Sequence, residues 1–386
     1  MNHQQIHLPH IGATAQLATF ATDNGITEQH AIIHIEPRGE LFDAQMQRML
    51  LAESELLATP QCQGAQTIFK RYFLSDATNQ KPTLDQMLRT HDATRAASVS
   101  CIQQPPLNGS KVAAWLYIVH GMDVEDHDGL VIASHNGYRH LWKMGMHHHK
   151  GDSAWQTESL LIDYEETLQR YGATLADNCI RTWFYVRDVD TQYAGMVRAR
   201  RENFAEQGLT PDTHFITSTG IGGLPADTRA LIQLGTYALI GFMPEQQRYL
   251  YAPTHLNPTY EYGVTFERGT RIDYGDRRHV YISGTASINN HGEVVHVGDI
   301  VSQTRRMWEN VETLLAEAGT TFADIAQIIV YLRDVADYDI VSRMFAERFP
   351  TTPYVITLAP VCRPTWLIEM ECVAISPCTN NNFRDF

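Results

Sequence analysis

The sequence lacks the features that mark secreted, disulfide-stabilised or membrane-spanning proteins. Its 386 residues include six cysteines that form no CxxC pair and follow no regular spacing, a usage typical of reduced thiols. No apolar run approaches the roughly 20 residues needed to cross a membrane. The N-terminal residues show no cationic segment followed by an apolar one, so no secretory signal is expected. These absences predict a cytoplasmic protein without a membrane partner.

Basic residues are scarce relative to acidic ones. The chain has 30 Lys and Arg against 44 Asp and Glu, a formal net charge of -14. Nucleic acids attract basic surfaces, so no nucleic-acid partner is expected, and an anionic substrate would need a local group of arginines. The adjacent histidines His147, His148 and His149 lie in a short predicted turn, where they would rarely converge on one ion. No metal is therefore predicted.

The most informative feature that is present is an internal repeat. Residues 151–177, GDSAWQTESLLIDYEETLQRYGATLAD, align without a gap with residues 298–324, GDIVSQTRRMWENVETLLAEAGTTFAD. The match extends downstream, where ALIQLGTYALI (230–240) parallels WLIEMECVAIS (366–376). A fainter third copy lies near the start, where FKRYFLSDATNQ (69–80) resembles the IRTWFYVRDVDTQ segment of the second copy.

Each copy is predicted to fold as hairpin, helix, strand, helix and strand, which gives an α+β protein of three tandem α/β units. Sheets with one open face must cover it, and three such sheets would close on each other as an intramolecular pseudo-trimer. The predicted units are residues 1–122, a degenerate copy, residues 123–243, and residues 257–386. The polar stretches 80–92, 123–128 and 244–262 are interpreted as linkers. A monomer would suffice for this arrangement, and self-association stays open.

One charged pair in the third copy is the leading candidate for chemistry. Glu369 and Glu371 alternate on a predicted strand and share one face, and Arg363 lies just before it. A carboxyl beside an arginine in a cleft suits acid–base chemistry, and the arginine can bind a substrate carboxylate. The alternative is a surface ion pair of little consequence.

The repeat supplies an internal control for this pair. The position of Glu369 is held by Gln233 in the second copy and roughly by Ala113 in the first, and the position of Arg363 is held by Gly223. The common scaffold does not require the pair, which favours a functional role. Arg181 and Arg200 are further basic residues that could reach a cleft between copies.

These residues lie in segments that resemble known families. The third copy resembles the Rid (YjgF-like) family, whose chorismate-mutase-like units form trimers with sites between subunits. The strings APVCRPTWLIEMECVAI (359–375), SGTASI (283–288), NPTYEYGVTFERGTRI (257–272) and TSTGIGG (217–223) resemble the chorismatases. Only the third unit carries the Glu/Arg pair, so one competent cleft is expected in each chain.

The resemblance implies an enzyme that cleaves the enolpyruvyl ether of chorismate, a small dicarboxylate, without metal or organic cofactor. The products would be pyruvate with a hydroxybenzoate or a dihydroxycyclohexadiene carboxylate. It implies Glu369 as general acid, with a pKa raised by burial, and Arg363 and Arg268 as carboxylate clamps. The remaining implied substrate contacts are Ser283 and Gly284 on the floor of the site, Phe266 in the FERG segment, and Cys362.

Three alternatives stay open at this point. A cysteine at position 362 resembles the hydroxybenzoate-forming chorismatases, but it could equally be a small buried thiol that fills space. The chain could instead be a Rid-type enamine or imine deaminase, with Arg363 on the substrate carboxylate and a water held by Glu369. It could also be a non-catalytic protein that binds a small carboxylate.

Overall fold

The computed structural model describes residues 1–91 and 97–386, and it contains three six-stranded sheets. The first sheet has β1 (Asn2–Leu8), β2 (Ala13–Ala21), β3 (Thr27–Ile35), β4 (Gln66–Leu74), β5 (Ser98–Gln103) and β6 (Val112–His120), with helices α1 (Phe42–Ala58) and α2 (Ala77–His91). The second has β7 (Asp123–His127), β8 (Leu130–His135), β9 (Tyr138–His147), β10 (Cys179–Val186), β11 (Thr217–Gly222) and β12 (Ile232–Ile240), with α3 (Ser153–Arg170), α4 (Leu175–Asn178) and α5 (Val189–Glu206). The third has β13 (Gln247–Leu250), β14 (Gly269–Asp273), β15 (Arg277–Ala286), β16 (Ile325–Leu332), β17 (Tyr354–Leu358) and β18 (Ile368–Pro377), with α6 (Ile300–Glu317) and α7 (Tyr338–Arg348).

All three sheets share one topology, which confirms the predicted α+β repeat. The strand order is β1-β2-β3-β6-β4-β5 in the first sheet, β7-β8-β9-β12-β10-β11 in the second and β13-β14-β15-β18-β16-β17 in the third. In each sheet the last two strands in this order are parallel and the other neighbours are antiparallel. The faint first copy is therefore a complete structural unit.

Local sequence explains the ends of the longest helix in the third unit. The Asp299 side chain accepts a hydrogen bond from the backbone N–H of Ser302 and caps the start of α6. Gly319 follows the helix with a φ of 72°, the left-handed conformation that favours glycine at a helix end. α7 spans the residues predicted for the second helix of this copy.

The structure corrects the interpretation of the polar stretches as linkers. Residues 80–91 belong to α2, residues 123–127 form β7, and residues 247–250 form β13, the outer strand of the third sheet. Position 92 lies outside the described residues. Edge strands carry polar side chains because they face solvent, and for this reason their composition resembles that of a linker.

The sheets meet in a ring, each contacting the next. β5 of the first sheet packs near β9 of the second, β11 of the second near β15 of the third, and β16 of the third near β3 of the first. Four large aromatic side chains from the first two sheets contact one another in the shared core, in both stacked and edge-on pairs: Phe69, Trp115, Trp142 and Trp183. This ring is the predicted pseudo-trimer.

Strand register places the three copies of the candidate acid position in equivalent places. Glu369 on β18 pairs with Tyr331 on β16, Gln233 on β12 pairs with Tyr185 on β10, and Ala113 on β6 pairs with Phe73 on β4. The neighbouring pair is equivalent in all three sheets. The residue after each of these partners pairs with the residue before Glu369, Gln233 or Ala113. The backbone therefore supports the alignment of these three positions made from the sequence.

Candidate active site

A cavity of about 360 Å³ lies between the second and third units. Its walls come from α5 and β11 of the second unit, from β15 and β18 of the third, and from the segments that precede β14 and β18. Six of the seven residues selected from the sequence line it: Glu369, Arg363, Arg268, Cys362, Gly284 and Phe266. The structure therefore brings together residues that are up to 103 positions apart, from 266 to 369.

Ser283 is the selected residue that does not line this cavity. Its side chain is fully buried, its hydroxyl donates a hydrogen bond to the Glu267 carbonyl (2.5 Å), and its oxygen accepts one from the Ser218 N–H (3.0 Å). The first hydrogen bond lies within the third unit, and the second joins the third unit to the second. In this structure Ser283 supports the interface at the floor of the cavity.

Ser283 and Gly284 form a β-bulge that makes room for the candidate acid. The register between β15 and β18 shifts between Ile282 and Thr285, and the second sheet has a similar shift between β9 and β12. A bulge re-aims side chains and commonly lies beside active sites. At Gly284, an added Cβ would lie 2.0 Å from Oε1 of Glu369. Only a glycine leaves this space to the carboxyl.

We expect Gly284→Ala to lower activity roughly tenfold or more without unfolding the protein, because misplacement of a reacting group by about 1 Å can cost about 10²-fold. The atoms that the new methyl would meet first belong to the flexible end of Glu369, so the carboxyl can move aside. Initial rates and a thermal melt measure the two effects. A variant with an unchanged rate would show that the carboxyl position is not critical.

Glu369 is a buried carboxyl whose neutral form is favoured. Its side chain is 5% exposed, and its pKa is raised to about 8, first by burial and then by the negative charge of Glu371. Arg181 and Arg268 act in the opposite direction. A carboxyl with this pKa carries its proton at neutral pH and can deliver it to a substrate.

Two selected arginines face the same cavity from the third unit. The guanidinium of Arg363 lies over the rings of Tyr262 and Trp366, at 4.9 and 5.1 Å from their centroids. Arg268 lies 5.4 Å from the Tyr262 ring and donates hydrogen bonds from Nε and Nη2 to the Asn257 carbonyl. Within residues 1–91 and 97–386, no carboxylate lies within ion-pair distance of either guanidinium. Both are free to bind an anionic ligand.

A third arginine, Arg200 on α5, was considered from the sequence but not selected. Its side chain is 1% exposed, and within residues 1–91 and 97–386 it makes one hydrogen bond, a 3.4 Å contact from Nη1 to the Ser218 hydroxyl. Its Nε and Nη2 atoms are buried without a partner in the described chain. A buried guanidinium without a counter-charge is costly, and a ligand carboxylate would supply that charge.

Cys362 is not arranged as a nucleophile. Burial raises the pKa of its thiol to about 12, with a further contribution from the charge of Glu369. At neutral pH the group is therefore the protonated thiol, while attack on an electrophile needs the thiolate. The cavity position of Cys362 suits a small side chain that shapes the site, the second of the two interpretations left open above.

Several lining residues were not identified from the sequence. Most come from the second unit or from the segment before β14: Val189, Asp190, Tyr193, Ser218, Thr219, Tyr262 and Val264. Their types are common in cores and loops, and only the packing of the second unit against the third brings them to the cavity.

No group of three His, Cys, Asp or Glu in the described part of the chain is arranged to hold a metal ion. None of the helices described has both the length and the apolar character needed to cross a membrane.

Comparisons with known proteins agree with this geometry. A family model described as Endoribonuclease L-PSP matches residues 272–376. The 3-aminoacrylate deaminase RutC of Acinetobacter baylyi is 37% identical over 98 residues, which are 25% of this chain and 77% of that protein. The chain belongs to this family, the Rid family.

A more specific similarity covers most of the molecule. A crystal structure of a chorismatase matches with a TM-score of 0.63 and 19% identity, covering 82% of this chain and 96% of that one. The 3-hydroxybenzoate synthase of Streptomyces hygroscopicus is 28% identical over 243 residues, 57% of this chain and 69% of that protein. The chain thus has the chorismatase fold, and the resemblance stated from the sequence is confirmed.

Proposed function

We propose that this protein is an enzyme that cleaves the enolpyruvyl ether of chorismate and releases pyruvate. One observation carries the proposal: a carboxyl favoured in its neutral form shares a cavity with three arginines that have no carboxylate partner in the described chain. Chorismate supplies two carboxylates and an acid-sensitive vinyl ether. The fold shared with a chorismatase and the similarity to a 3-hydroxybenzoate synthase support the same substrate.

The proposed chemistry begins with proton transfer from Glu369 to the terminal methylene of the enolpyruvyl group. The ether carbon becomes an oxocarbenium ion, water adds to it, and the carbon–oxygen bond to pyruvate then breaks. Glu369 is left as a carboxylate, and the positive charges of Arg181 and Arg268 favour that form. The bound water returns the proton, so that the acid is restored after each turnover.

The second product is proposed to be a hydroxybenzoate. Addition of water to chorismate gives pyruvate and a dihydroxycyclohexadiene carboxylate, while further loss of water gives a hydroxybenzoate. The sum of pyruvate and hydroxybenzoate therefore has the composition of chorismate itself. Support comes from the similarity to the Streptomyces hygroscopicus synthase.

Incubation of the purified protein with chorismate tests the proposal. Pyruvate is followed by coupling to lactate dehydrogenase, and the ring product is identified by chromatography with mass detection. A parallel preparation of Glu369→Gln corrects for spontaneous decomposition of chorismate and for contaminating enzymes. Pyruvate at the level of a reaction without protein would overturn the proposal.

A Rid-type deaminase is the second candidate, because the similarity to the deaminase RutC is higher in identity, although it covers only 25% of this chain. An aminoacrylate carries one carboxylate and would leave two of the three arginines unpaired. Ammonia release from 2- or 3-aminoacrylate, without pyruvate from chorismate, would favour this candidate. Binding of chorismate without turnover of either substrate would indicate a non-catalytic carboxylate-binding protein.

The rate should depend on pH through the proton on Glu369. The acid is active in its protonated form, and its pKa in the folded protein is raised to about 8. We therefore expect activity below this pKa and a decline as the pH rises through it, whereas an ordinary glutamate would already be ionised near pH 5. The pH profile of kcat/KM measures this, and a limb near pH 5 would contradict it.

A further inference from the structure

A second buried carboxylate, Glu371, lies two residues beyond Glu369 on the same face of β18. Its Oε2 accepts a hydrogen bond from Nη2 of Arg181 (2.8 Å), and its Oε1 accepts one from Nε1 of Trp183 (2.8 Å). Nη1 of Arg71 lies 3.7 Å from Oε1. The side chains of Arg71, Arg181 and Glu371 are at most 3% exposed. Cationic and N–H donors around a carboxylate stabilise its ionised form.

This cluster combines residues from all three units. Arg71 lies on β4 of the first sheet, Arg181 and Trp183 lie on β10 of the second, and Glu371 lies on β18 of the third. The strand register makes Glu371 of the third sheet equivalent to Gly235 of the second sheet and Trp115 of the first. The residues with which these three pair, Ile329, Trp183 and Arg71, occupy matching positions on the neighbouring strands. The scaffold therefore does not require a carboxylate there. Apolar packing usually stabilises such a site at least as well as a buried ion pair, so stability alone does not account for the cluster.

The cluster is connected to the acid through the floor of the cavity. The same Nη2 of Arg181 donates a hydrogen bond to the Thr219 hydroxyl (2.5 Å). The Thr219 oxygen also accepts a hydrogen bond from the Gly284 N–H (2.9 Å), and Gly284 lies against the carboxyl of Glu369. Arg181 therefore contacts Glu371 on one side and supports the bulge beneath Glu369 on the other.

We propose that Glu371 is a positioning residue for the acid: its carboxylate, fixed by the first and second units, holds the proton on Glu369. This assigns a role to the first unit, none of whose described residues lines the cavity. The inference rests on the proposed function for its effect on turnover. Its effect on the proton of Glu369 can be measured without a substrate.

The electrostatic direction follows from the groups that face Glu369. Glu371 raises the pKa of Glu369, whereas Arg181 and Arg268 lower it. The other titratable or charged groups facing the acid belong to the cavity wall or to the neighbouring strand: Asp190, Arg200, Tyr193, Tyr262, Cys362, Arg363 and Tyr331. Neutralising Glu371 removes a like charge and leaves the cations unbalanced. Both effects favour the Glu369 carboxylate, so its titration should move to lower pH.

Infrared spectroscopy tests the proposal directly. The carbonyl stretch of a protonated carboxyl disappears on ionisation, and the difference from the Glu369→Gln spectrum isolates the Glu369 band. We expect Glu371→Gln to lower the titration midpoint by about one pH unit or more, and Arg181→Met to raise it. The double variant should lie between them. Glu347→Gln, which removes an exposed carboxylate on α7, should leave the midpoint unchanged.

Midpoints that are the same in all folded variants would overturn the proposal. If Glu371→Gln fails to fold because it leaves two buried arginines without their partner, Arg181→Met and the double variant still give the comparison. A shift in the midpoint without pyruvate from chorismate would leave this inference standing and remove the proposed function. Pyruvate release with an unshifted midpoint would support the proposed function and overturn this inference.

Discussion

Glu369→Gln is expected to lower the rate of pyruvate release from chorismate by about 10²- to 10⁴-fold, the usual contribution of a general acid. The amide keeps the size of the side chain but has no proton of suitable acidity. The fold should be retained, because the neutral amide resembles the protonated carboxyl that burial favours here. Steady-state rates and thermal unfolding measure the two effects in the same preparations.

The repeat offers a matched control for this substitution. Gln233 occupies the register position of Glu369 in the second sheet, is also buried, and donates hydrogen bonds to the Ser100 hydroxyl and the Cys101 carbonyl. Gln233→Ala should therefore cost some stability and leave the rate unchanged. Retained activity in Glu369→Gln, or a comparable loss of activity in Gln233→Ala, would show that the proton comes from another group.

Much of the fold could be predicted because the repeat is expressed locally. Caps such as Asp299, the period of apolar residues along α6, and the alternation along β18 are all set by near neighbours in the chain. Aligning the copies then singled out Glu369, whose position holds Gln233 in the second sheet. The alignment of Arg363 with Gly223 was wrong, because the strand register equates Gly223 with Ala359 and places Asp227 at the position of Arg363. Edge strands were mistaken for linkers because their polar composition reflects exposure to solvent rather than lack of structure.

The other wall of the site could not be predicted in the same way. Whether Arg200 lies in a cavity or in solvent depends on how the second unit packs against the third, and no local pattern encodes that contact. One signal was available in the sequence. When residues are counted from the ends of the equivalent strands β4 and β10, the first unit has Leu88 at the position where the second unit has Arg200. The repeat therefore does not require an arginine there. Ser283 shows the opposite case, because a hydroxyl in a promising motif is used within the interface between units.

Arg200→Met is expected to produce two effects of opposite sign. The unliganded protein should become more stable by about 1–3 kcal/mol, because a buried group with two unpaired N–H-bearing atoms is replaced by an apolar side chain of similar length. The value of kcat/KM for chorismate should fall by about 30- to 5,000-fold, since removing one member of a buried charge pair costs about 2–5 kcal/mol. Thermal unfolding and steady-state kinetics measure the two effects.

Arg201 provides the control on the same helix. Its side chain is exposed, so Arg201→Met should change neither the stability nor the rate noticeably. A fall in stability of Arg200→Met with an unchanged kcat/KM would show that Arg200 only supports the packing of α5. Opposite changes in stability and kcat/KM are instead expected of a residue whose counter-charge arrives with the substrate. In that case the cavity is complete only when the second unit supplies a cation to the acid of the third.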